Sequence, residues 1–151
     1  MAADVRDLIG LEPTPEEYDA VRDLWKRHSI AEDNRDLPGL LATLTDDCVY
    51  ELVQTGHRWD GHEGATRFYI GLLGAFPDIH FDLTDIVIGP QGVCEWARVS
   101  GTHENKWLDY EPTGQFLTWN VVILFPWDRE QRLFRGEKVY SDAQMLLLPR
   151  G

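Results

Sequence analysis

A chain of 151 residues with 43% hydrophobic and 26% charged residues holds material for one hydrophobic core, so a single compact domain is expected. Its formal charge of -12 repels phosphate backbones and anionic lipid heads, and its basic residues are scattered, which argues against nucleic-acid and membrane partners. No apolar run approaches the ~20 residues that span a bilayer, and Asp4, Arg6 and Asp7 interrupt what a signal peptide would keep apolar, so a cytoplasmic location is expected.

In chain order, residues 1–13 read as an N-terminal extension and residues 14–151 as one domain. Thr14-Pro15-Glu16-Glu17 combines an N-cap hydroxyl, a proline at the first helical position and a capping-box glutamate. Tyr18, Val21, Trp25 and His28 follow at helical spacing, which predicts a first helix. Asp36 caps a short second helix over Leu37 to Leu44; Thr45-Asp46-Asp47 then breaks into a strand at Cys48 to Val53. Asp60 and Glu63 repeat the capping-box spacing, and Ala65, Phe68, Tyr69, Leu72 and Phe76 form the stripe of a third helix that stops at Pro77. Beyond Pro77 the period becomes alternating, with strands expected at Ile79 to Gly89, Gly92 to His103, Gln115 to Phe125 and Leu133 to Leu147. Three helices before an antiparallel meander predict an α+β fold in which a curved sheet wraps the helices and leaves a cavity suited to a ligand. Along Gln115 to Phe125 both alternating sets are largely apolar while helices cover one face, so a homodimer through the sheet is expected.

Gly61-His62-Glu63-Gly64 with Phe68-Tyr69, Ala75 to Phe81, Gly101-Thr102-His103, Pro112-Thr113-Gly114 and Tyr140-Ser141-Asp142 together resemble the SnoaL-like polyketide cyclases, of the cone-shaped nuclear-transport-factor-2-like fold. The resemblance implies three N-terminal helices packed on a strongly curved, mostly antiparallel sheet enclosing a pocket. It also implies a cofactor-independent enzyme that removes a proton next to a carbonyl, by intramolecular aldol cyclisation or isomerisation of a small hydrophobic or aromatic carbonyl compound. Asp142 matches the last-strand aspartate that acts as general acid/base in such cyclases. Many of them carry a His-Trp pair shortly before it, where this chain has Glu137-Lys138. A noncatalytic small-molecule binding or accessory protein is the alternative on the same fold. An epoxide hydrolase stands third, because Ser100 follows Arg98 where an R-x-D pair needs a carboxylate.

Strand parity puts Lys138, Tyr140 and Asp142 on one face, and if that face is inward the ammonium would hold Asp142 ionised. His103 suits either a proton relay or a structural role in its turn. Trp25, His28, Tyr50, Trp59, Tyr69, Trp96, Trp119 and Tyr140 are candidate pocket residues, as apolar surface or as hydroxyl and ring donors. No His/Asp/Glu pair is read at ligand spacing on a single helix or strand face, so no metal is expected, and no nucleotide or redox motif implies a cofactor. Cys48 and Cys94 lack a C-x-x-C spacing and read as free thiols.

Overall fold

The computed structural model describes residues 4–142. A short helix α1 (Val5–Ile9) precedes α2 (Pro15–Asp33) and α3 (Leu37–Leu41). Strands β1 (Leu44–Leu52) and β2 (His57–Asp60) follow, then α4 (Gly61–Ala75), β3 (His80–Gly89), β4 (Gly92–Thr102), β5 (Phe116–Asp128) and β6 (Leu133–Ser141). The six strands form one sheet in the order β2-β1-β6-β5-β4-β3, antiparallel throughout except for the β1/β6 pair. This is the expected α+β arrangement, helices packed on a mostly antiparallel sheet.

The start of α2 is set as its sequence predicts: the Thr14 hydroxyl accepts the Glu17 N–H at 3.1 Å, and Pro15 enters the first turn. Its buried stripe is Glu17, Val21, Leu24, His28 and Ala31; Tyr18, expected on that stripe, is exposed at its edge. Burying Glu17 is tolerable because Arg129 grips its carboxylate with two N–H groups at 2.7 Å and the Trp127 indole donates at 3.2 Å. The Arg129 bond holds the Glu17 pKa below its ordinary value. The helix start is thereby tied to the end of β5.

The other departures from the sequence reading are local. β1 begins at Leu44, running through Thr45-Asp46-Asp47 where a break is expected, because a register shift in its pairing with β6 between Leu44 and Val49 absorbs the polar residues and leaves both aspartates exposed. Asp60 does not cap α4; Arg58 holds its carboxylate at 3.0 Å, and Glu63 pairs with Arg67 one turn on. The part of the last strand expected beyond residue 142 lies outside the described residues.

Gly136 has φ 111° and lies where an added Cβ would overlap the Val49 carbonyl oxygen. Only glycine lets β1 approach β6 this closely, and Glu137, the next residue, is set by that approach. Alternation along β6 then turns Glu137 and Val139 into the core and leaves Lys138, Tyr140 and Asp142 exposed. Among the described residues no helix is long and apolar enough to cross a membrane.

Candidate functional site

Between α2, α4 and the concave face of the sheet lies a narrow cavity with about 50 Å³ open to water-sized molecules. Phe68, Phe76, Trp107, Trp119 and Val121 make most of its wall apolar, and the polar side chains lining it are Glu32, Glu137 and Ser141. Glu32 comes from the last turns of α2, and Glu137 from β6. Among the described residues no lysine or arginine lines this cavity.

Glu137 is 3% exposed, and its Oε2 collects two contacts: the Tyr69 hydroxyl donates at 2.8 Å and His28 Nε2 lies at 3.1 Å. Tyr69 in turn receives the Tyr50 hydroxyl at 2.6 Å, since its own proton goes to Glu137. On the far side of the ring, His28 Nδ1 lies 2.8 Å from the Thr43 hydroxyl, whose proton is spent on the Leu40 carbonyl at 2.6 Å. Thr43 can therefore only accept, so Nδ1 carries the hydrogen and Nε2 faces Glu137. Tyr50, Tyr69 and His28 are each about 1% exposed or less.

Burial raises the pKa of both phenols, and the Glu137 charge adds to this, so Tyr50 and Tyr69 stay protonated donors. Burial also pushes Glu32 well above the usual carboxylate range, with Glu137 and then Glu95 adding to it. Glu95, on β4, is 9% exposed and rises to about 7 by desolvation first and Glu137 second, while the Trp25 indole bond at 3.2 Å opposes the shift. The interior thus holds a carboxyl whose protonated form burial favours, Glu32, near one held by Tyr69 and His28, Glu137.

The structure brings His28, Tyr50, Tyr69 and Trp119, all candidates from sequence, to the cavity or to the group that lines it. Trp25 reaches the interior through Glu95, and Trp59 stacks on the cavity residue Trp107, ring centroids 6.4 Å apart. Trp96, Tyr140 and Asp142 it places elsewhere, in a groove on the outer face of the sheet. Asp142 is exposed, and its carboxylate accepts the Asn120 backbone N–H at 2.7 Å and the Asn120 side-chain amide at 3.2 Å. Arg98 is likewise exposed, so the pair that an epoxide hydrolase would need does not meet at this cavity. His103 is fully buried and stacked on Phe76; its Nδ1 accepts the Thr113 N–H at 3.2 Å, a loop-fixing position, and burial lowers its pKa.

Glu32 and Glu95 were not singled out by sequence reasoning, and Glu137 entered it only as half of the Glu137-Lys138 departure from the family pattern. The signal for Glu137 was strand parity, because Val139 and Ser141 alternate with Lys138 and Tyr140 and the apolar member marks the inner face. For Glu32 it was the spacing of four from His28, a pair on one face of α2 that the sequence reading passed over.

A family model described as SnoaL-like polyketide cyclase matches residues 18–143. The chain belongs to this family. Among solved structures, a protein assigned as a SnoaL-like polyketide cyclase from Jannaschia sp. CCS1 superposes with a TM-score of 0.78 at 16% identity, covering 90% of this chain and 94% of that one. AclR from Streptomyces galilaeus, assigned as a hydroxylase, gives 0.70 at 20% identity over 87% and 99% of the two chains. A protein assigned as a polyketide cyclase from Xanthomonas campestris pv. campestris gives 0.69 at 18% identity over 87% and 96%. At these identities the likeness speaks to fold alone. No curated protein sequence matches this SnoaL-like chain.

Proposed function

We propose that this SnoaL-like protein is an acid/base enzyme that removes a proton next to a carbonyl of a small hydrophobic substrate, for cyclisation or isomerisation, with Glu137 as the base in place of Asp142. The observation that carries this reading is a 3%-exposed carboxylate lining an apolar cavity and oriented by His28 and Tyr69. Glu137 takes the α-proton, the C–H electron pair moves into the carbonyl, and the protonated Glu32 donates to the oxygen on which charge develops. The enol carbon then attacks a second carbonyl or is reprotonated at another position by Glu137. His28 keeps the carboxylate in place through its bond to Thr43. Flat aromatic guests fit the wall of Phe68, Phe76, Trp107 and Trp119.

The test is deuterium wash-in: aryl ketones and aromatic β-dicarbonyls incubated with the protein in D2O, with loss of the α-proton signal followed by NMR against a buffer control. Exchange well above buffer supports the reading. One observation favours the noncatalytic alternative, the position of Asp142 outside the cavity. Guests that raise the melting temperature yet exchange at the buffer rate would decide for that binding role.

We further propose the homodimer through the sheet. Its support is the outer face, where Val87, Trp96, Phe116 and Tyr140 are 60%, 38%, 65% and 51% exposed. Light scattering should return twice the chain mass at micromolar concentration, and a monomer there would count against it.

A further inference from the structure

We propose that His28, Glu32 and Glu137 bind a divalent transition cation of the zinc class, with the cavity side left open for water or a guest oxygen. The inference goes beyond the catalytic reading and does not rest on it. His28 and Glu32 lie four residues apart on α2, and Glu137 reaches the same point from β6; Nε2 and one oxygen of each carboxyl all lie within 4.8 Å of one another. In a tetrahedral shell, ligands bound at ~2.0–2.2 Å lie ~3.3–3.6 Å apart, so the set closes round an ion with side-chain movements of at most about 1.5 Å. One edge, Nε2 to Glu137 Oε2 at 3.1 Å, already has the spacing of two ligands on one metal.

Two observations outside the trio's own contacts point the same way. Thr43, itself 2% exposed, takes the Nδ1–H of His28 and so presents the Nε2 lone pair to the carboxyls. Metal-binding histidines are oriented in this manner by a group beyond the ligands. Glu32 lines the cavity, yet among the described residues its carboxyl has no hydrogen-bond or salt-bridge partner, and an ion would supply the missing partner. The donor set selects the ion. An imidazole nitrogen disfavours magnesium and calcium, and one nitrogen with two carboxylate oxygens and an open side suits zinc, cobalt or manganese. Occupancy would take up the lone pairs that acid/base chemistry uses, so zinc is expected to inhibit α-proton exchange.

The experiment titrates chelator-treated protein with Co²⁺ and Zn²⁺, reading the visible Co²⁺ bands and calorimetric stoichiometry, with no substrate present. One ion per chain is expected. Glu32→Gln, at the cavity rim, should abolish the Co²⁺ bands; Thr43→Val should weaken Zn²⁺ binding ~10- to 100-fold by freeing the ring. His62→Gln should change nothing, although His62 lies 3.9 Å from Asp46 on the surface. Equal binding by wild type and Glu32→Gln, loss of binding in His62→Gln, or no binding at all would each overturn the proposal. Exchange that persists in excess chelator while no ion binds would sink the cation site and leave the catalytic reading standing.

Discussion

Glu137→Gln is expected to lower α-proton exchange by ~10²- to 10⁴-fold, the range typical of general-base loss, while the melting-temperature shift given by an apolar guest stays close to that of the wild type. The substitution is isosteric, and the amide oxygen can still accept the Tyr69 hydroxyl, so shape and packing persist while the proton acceptor is removed. Asp142→Asn is the control: its carboxylate serves the Asn120 backbone on the outer face, and exchange should stay near the wild-type rate. The opposite pattern, loss in Asp142→Asn with Glu137→Gln fully active, would return the chemistry to the last-strand aspartate. The pH profile supplies a second reading. Because burial raises the Glu32 pKa, its donor proton is lost at higher pH than that of an ordinary glutamate, so the alkaline limb of the rate belongs to Glu32. Glu32→Gln keeps an N–H donor at this position and should flatten that limb.

The fold was readable because its elements declare themselves locally. The Thr14 cap with Pro15, the apolar stripe from Ala65 to Phe76 and the change of period after Pro77 each depend on a few neighbouring residues. Where neighbours do not decide, the reading failed: Asp46 and Asp47 are tolerated in β1 only because a partner strand shifts register beside them. The site lay at the limit of that method. Parity correctly grouped Lys138, Tyr140 and Asp142, but which face looks inward depends on how β6 sits between β1 and β5, a long-range fact that Gly136 helps to set. A buried glutamate gives no local sign either, since its cost is met by partners 68 and 109 residues away in the chain, Tyr69 and His28. The tryptophans illustrate the same limit, because Trp119 and Trp96 belong to equally apolar strands and end on opposite faces of the sheet.

Glu95→Gln is expected to stabilise the protein, and to do so only at higher pH. In the folded protein Glu95 titrates at about 7, raised first by burial and then by the charge of Glu137. Unfolded, it titrates as an ordinary glutamate near ~4.3. A carboxyl whose folded pKa is raised binds more protons folded than unfolded in this window, so stability is full below the unfolded value, falls as pH climbs to the folded value, and levels off above it. At ~1.4 kcal/mol per unit the loss amounts to about 4 kcal/mol by pH 8. Glutamine does not ionise, and its side-chain oxygen can still accept the Trp25 indole N–H, so the variant escapes the loss without leaving a donor unpaired. Urea melts at pH 5 and pH 8 should therefore show the variant's advantage appearing mostly at pH 8; an equal difference at both values would mean that packing, not ionisation, separates the two proteins. The substitution also reaches the proposed chemistry, because Glu95 adds to the rise of Glu32, and removing its charge should move the alkaline limb of α-proton exchange to lower pH. Stability and rate would then answer to the same interior charge, which is the expected consequence of burying Glu95 close to the two carboxyls that line the cavity.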